Sequence, residues 1–104
     1  MYGLKDIHID KIKSVFSNYS DIDKAIIYGS RAKGNYRNGS DIDLTLIGES
    51  IDLTLLQKIE NELDDLLLPY QIDLSLYHKI ENSDLLDHIE RIGVEFYKKE
   101  IISD

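Results

Sequence analysis

An α/β chain of the α+β kind, with a small mixed sheet of about three strands and helices packed on one face, is what three features of the sequence predict. Two short segments, 41–47 and 71–77, alternate apolar and polar residues, the pattern of strands with one buried and one polar face. A stretch of helical periodicity lies between them, which makes the pair a parallel β-α-β unit. The length of 104 residues, with 42% hydrophobic and 31% charged, suits a single domain, 1–104, with one modest core.

The elements follow in order. Lys5 to Tyr19 reads as a helix, because Ile12, Val15, Phe16 and Tyr19 recur at i, i+3, i+4 and i+7. Lys24 to Gly29, "KAIIYG", is a short apolar run closed by glycine and reads as a strand. About a dozen residues rich in Gly, Asn and basic side chains follow. Such a connection suits a hairpin-like return to an antiparallel neighbour, or a short helix in the turn. In Asp41 to Ile47, Asp41, Asp43, Thr45 and Ile47 share one face, and Ile42, Leu44 and Leu46 the other. Asp52 to Leu68 is helical, with Leu56, Ile59, Leu63, Leu66 and Leu67 on its apolar side and Pro69 beyond its end. In Gln71 to Tyr77, Asp73 and Ser75 oppose Ile72, Leu74 and Leu76. Ser83 to Lys99 reads as a last helix with Leu85, Leu86, Ile89, Ile92 and Phe96 inward. Helices then cover the apolar face of the sheet, and the face of carboxylates and hydroxyls is open.

Composition excludes several functions. One proline argues against a disordered chain, and the lack of cysteine removes disulfides and thiolate metal sites, as suits a reducing cytoplasm. The N-terminus has no apolar leader region and no run could span a bilayer, so no membrane partner is expected. A net charge of −8 argues against direct nucleic-acid binding. Yet Gly29 to Gly39 holds Arg31, Lys33 and Arg37 and no acid. His8, His78 and His88 show no zinc spacing and read as surface or boundary residues. Tyr36 in the basic loop reads as a loop aromatic or a platform for a base. Ile101 and Ile102 in the tail suit either a frayed end or a partner or homo-oligomer contact.

One phrase occurs twice: Ser20-Asp21-Ile22-Asp23 and Ser40-Asp41-Ile42-Asp43. Strand direction separates the copies. If the first strand runs against the second and the second beside the third, Gly29, Ser30, Asp41, Asp43 and Asp73 meet at one edge of the open face. Asp21 and Asp23 then lie at the far end and serve as a turn. Aspartates at i and i+2 point the same way, about 7 Å apart. Such oxygen ligands suit one or two Mg²⁺ ions, which share substrate phosphates. Gly29-Ser30 makes a tight exit from a strand, where backbone N–H groups can bind phosphate oxygens. Arg31 and Lys33 supply charge. Together these point to a nucleoside triphosphate.

"GSRAKGNYRNGSDIDL" resembles the nucleotidyltransferase signature of the DNA polymerase β-like superfamily: Gly29-Ser30, ten residues, then Asp41-x-Asp43, with Asp73 on the next strand fitting the third acidic position. In size the chain is similar to the minimal nucleotidyltransferase (MNT) antitoxins that accompany HEPN toxins. That resemblance implies the polymerase β-like fold, two Mg²⁺ ions (or Mn²⁺) and ATP as substrate. It also implies transfer of AMP to a tyrosine of a HEPN-type toxin, which neutralises the toxin by binding, modification or both. Asp41, Asp43 and Asp73 would hold metal and carry catalysis, and Gly29, Ser30, Arg31 and Lys33 would bind phosphate. A small-molecule nucleotidyltransferase is one alternative, disfavoured by the lack of a second domain. A binding-only antitoxin is the other, disfavoured by the intact motif.

Overall fold

Apolar residues spaced for a helix and for strands converge on one core. The computed structural model describes residues 1–100. Its elements run α1 (Asp6–Ser17), β1 (Lys24–Tyr28), α2 (Gly29–Lys33), β2 (Ile42–Ile47), α3 (Leu53–Asp64), β3 (Ile72–Leu76), a 3₁₀ turn (Tyr77–Lys79), α4 (Ser83–Ile92) and β4 (Val94–Lys98). From α1, Ile12 and Phe16 pack with Ile27 of β1, Ile42, Leu44 and Leu46 of β2 and Ile59 of α3, all without solvent exposure. Asp52 starts α3 as expected, its carboxylate accepting the Leu55 N–H at 2.8 Å. No helix among the described residues is long and apolar enough to cross a membrane.

The strand order is β3-β2-β1-β4. The two pairings read from the sequence hold: β1 is antiparallel to β2, and β2 parallel to β3. The short helix in the turn is α2. Register puts Tyr28 opposite Asp43 and Asp43 opposite Asp73.

Three expectations are corrected. The sheet has four strands rather than three, because the last helix stops at Ile92 and the chain returns as β4, antiparallel to β1. Gly93 permits this crossing: a Cβ there would strike the Ile89 carbonyl and stand 2.7 Å from Ile26 Cγ2. Beyond it, Val94, Phe96 and Tyr97 favour a strand, and Phe96 reaches the core from there rather than from a helix. Second, the polar face is partly covered. Ile26 shares that face with Thr45 by register, and α4 packs on it through Gly93, so Thr45 is fully enclosed. Third, α3 ends at Asp64, short of Leu68. Leu67 turns into a left-handed conformation (φ 53°) and is 88% exposed, not on the apolar side. Ile101 and Ile102 lie outside the described residues.

Candidate active site

Backbone register builds a row across three strands. Tyr28, Asp43 and Asp73 stand side by side on the face away from α1 and α3, and Asp41 lies two residues before Asp43. Asp41 and Asp73 are exposed and Asp43 is half-buried. Burial raises the Asp43 carboxyl above its usual value, and the nearby charges of Asp73 and Asp41 push the same way. Burial likewise pushes the Tyr28 phenol up, with Asp43 and Asp73 adding to it.

The strand exit at Gly29 completes the edge. Gly29 has φ 75°, where an L side chain is strained, and a Cβ on it would collide with the Asp43 carboxylate. Glycine therefore lets the turn into α2 lie directly against Asp43. Ser30 follows in the first turn of α2 and Lys33, exposed, ends it. Gly34, at φ 89°, closes the helix by donating its N–H to the Ser30 carbonyl at 2.9 Å.

Arg31 takes a different place from the phosphate contact expected of it. It is 3% exposed. Its Nε and Nη2 donate to the Ser40 carbonyl at 3.1 and 2.8 Å, and Nη1 donates to the Tyr2 carbonyl at 3.0 Å. The guanidinium lies between the rings of Tyr36 and Tyr70, 5.3 and 5.1 Å from their centroids. Arg31 thus fastens the connection that delivers Asp41, and Tyr36 is its stacking partner.

The first acidic pair is elsewhere. The Asp23 N–H bonds the Ile47 carbonyl at 2.8 Å, at the far end of β2, and Asp21 accepts a 2.8 Å bond from the Ser50 hydroxyl. Lys24 pairs with Ile47 and Tyr28 with Asp43, so about four strand residues, roughly 13 Å, separate the two ends.

Sequence reasoning missed His88. It sits on α4 over the site, its Nε2 accepting the Gly29 N–H at 3.2 Å and its ring edge-on to Tyr28. A signal was available: Leu85, His88 and Ile92 fall at i, i+3 and i+7, on the inward side of the helix. His8 instead meets Tyr70, with Nδ1 and the hydroxyl 3.3 Å apart.

Among the described residues, no three carboxylate or imidazole groups already converge at metal-holding distance. The donor set nonetheless suits a hard divalent cation: three aspartates, close enough to raise the Asp43 carboxyl, at an edge open to water.

Known proteins share this fold. A family model described as polymerase beta, nucleotidyltransferase matches residues 10–101. Among solved structures, a toxin–antitoxin with AMP-PNP is similar at 18% identity and a TM-score of 0.70, over 93% of this chain and 76% of that one. A tri-AMPylated Shewanella oneidensis HEPN toxin in complex with MNT antitoxin matches at 15% identity and a TM-score of 0.67, over 92% and 74% of the two chains. The MntA-HepT toxin–antitoxin matches at 15% identity and 0.67, over 91% and 74%. These likenesses show a shared fold. No curated protein sequence matches significantly.

Proposed function

This chain belongs to the polymerase beta nucleotidyltransferase family, and from that premise we propose that it moves AMP from ATP to a hydroxyl, a tyrosine, of a HEPN-type toxin and so acts as an antitoxin. The observation that carries the reading is the contact between the Gly29 turn and the Asp43–Asp73 row. It sets a turn whose amides could receive phosphate oxygens beside a set of carboxylates. The toxin–antitoxin neighbours, one with AMP-PNP and one with an AMPylated HEPN toxin, support the choice of nucleotide and partner.

Asp41, Asp43 and Asp73 would hold Mg²⁺, with Mn²⁺ able to substitute. When bound, the metal supplies positive charge that offsets the triphosphate and the developing charge on the leaving group. The chain's own residues do the rest. Ser30 and the backbone of the turn orient the triphosphate, and Lys33 balances its outer charge. Arg31 holds the connection that aims Asp41. Asp73, exposed on the edge strand β3, accepts the proton of the incoming hydroxyl. The hydroxyl oxygen bonds to the α-phosphorus, the bond to the β-phosphate bridge breaks, and pyrophosphate leaves. No side chain of this protein need serve as nucleophile.

The reading predicts linked binding. ATP at ten times its Kd should stabilise the fold by about 1.4 kcal/mol and raise Tm by roughly 6–11 °C when Mg²⁺ is present. EDTA should remove the shift. Equal shifts with and without EDTA would contradict a metal-held triphosphate.

A further inference from the structure

We propose that His88 is a positioning residue for nucleotide transfer: from α4, its imidazole holds the Gly29–Ser30 turn against Asp43. This role rests on the transfer reading above. The Gly29 amide lies at the start of α2, where no earlier carbonyl of the helix can take its N–H. His88 Nε2 accepts it at 3.2 Å. A ring nitrogen can accept only when it carries no proton, so the neutral ring has its hydrogen on Nδ1.

The same ring stands edge-on to Tyr28, centroids 6.1 Å apart at 78°. Tyr28 is the residue before Gly29 and belongs to the row with Asp43 and Asp73. One imidazole therefore touches two successive residues of the strand exit. Its support is closely packed. Ile89, the next residue, is buried, and Gly93 brings the end of α4 onto Ile26. α4 is also seated on α2 and β1. Nothing else among the described residues accepts the Gly29 N–H.

A consequence concerns the phosphates. With the Gly29 N–H engaged by His88, the turn offers a triphosphate the Ser30 hydroxyl and the amides that follow Gly29. His88 sets the angle of that surface without touching the nucleotide. The side chain would thus act through the turn, and its chemistry matters only as an acceptor of fixed position.

Two variants separate acceptor from bulk. His88→Gln keeps an oxygen that can accept from Gly29, and His88→Phe keeps an aromatic ring but no acceptor. In metal-free protein, the Gly29 amide should exchange with solvent about tenfold faster in His88→Phe than in wild type, the factor of one ordinary hydrogen bond. His88→Gln should restore most of the protection. With Mg²⁺ and ATP, His88→Phe should raise KM for ATP about tenfold and lower kcat less, and His88→Gln should recover both. His88→Leu serves as a second variant without an acceptor should the larger ring fail to fold. Equal Gly29 exchange in wild type and the variants lacking an acceptor would overturn the proposal. So would lower KM in those variants, which would mean that His88 competes with phosphate. If the wild type moves no nucleotide, the transfer reading fails and takes this role with it. If the wild type is active and the Gln and Phe variants behave alike, the role of His88 alone fails.

Discussion

Asp43→Asn should abolish nucleotide transfer, whereas Asp21→Asn combined with Asp23→Asn should leave it near the wild-type rate. The loss should exceed about a hundredfold, the upper end for losing a group that merely supports a metal ligand. Both copies of the phrase read Ser-Asp-Ile-Asp, so local sequence cannot separate them. Position can. Asp43 lies in register with Asp73 and against Gly29, while Asp23 is hydrogen-bonded at the Ile47 end of β2. Stability adds a second readout of the same variant. The Asp43 carboxyl titrates above its ordinary value, so its charged form is disfavoured in the fold. That penalty is fully present above the raised value and disappears as pH falls below about 4. Metal-free Asp43→Asn should therefore melt at or above wild type near pH 7, by less than about 1 kcal/mol because solvent and salt screen the edge. The gap should close in acid. Added Mg²⁺ should favour the wild type. An active Asp43→Asn protein, or a folded but inactive first-pair variant, would contradict the assignment.

Gly29→Ala should be damaging twice over, and unequally. At φ 75° a Cβ costs about 1–2 kcal/mol of stability. The same atom would occupy the space of the Asp43 carboxylate, which is the end of a side chain and can rotate aside. The fold should survive, while the displaced carboxylate should lower transfer by about a hundredfold, the effect of roughly an ångström of misplacement at a reacting centre. Gly34→Ala is the control. It shares a positive φ but meets no atom within 4 Å, so it should cost similar stability and little activity. Chemical denaturation and transfer rates on the two variants check this. Equal activity losses would mean that backbone strain, not contact with Asp43, explains the need for glycine.

Much of this architecture was legible because alternation and helical spacing report burial directly. Asp41–Ile47 and Gln71–Tyr77 revealed their faces, and the helix between them set the parallel pairing. The length and composition of the connection suggested that β1 turns back, and with it that Gly29, Asp43 and Asp73 share an edge. What failed were features that depend on long-range packing. Val94 to Lys98 continued a helical count through Phe96, yet it pairs with β1 as a strand beyond the close approach of Gly93 to Ile26. Arg31 looked like a phosphate contact because a cation in a basic loop usually faces solvent. The aromatic rings of Tyr36 and Tyr70 and the carbonyls of Tyr2 and Ser40 enclose it instead. Tyr2 and Tyr70 are distant in sequence, so no local pattern announced them. For His88, helical spacing with Leu85 and Ile92 marks the inward side, but its partner, an amide fifty-nine residues earlier, leaves no local trace.

The most direct measurement is the fate of the two ends of ATP. The chain is incubated with Mg²⁺, a HEPN-type toxin and ATP labelled at either the α- or the γ-phosphorus. Transfer of AMP predicts that the α label becomes bound to a toxin tyrosine, that the γ label is released as pyrophosphate, and that both events stop with EDTA or with Asp43→Asn. Label from the γ-phosphorus on the toxin, or a tight complex of the two proteins with neither label transferred, would contradict the account.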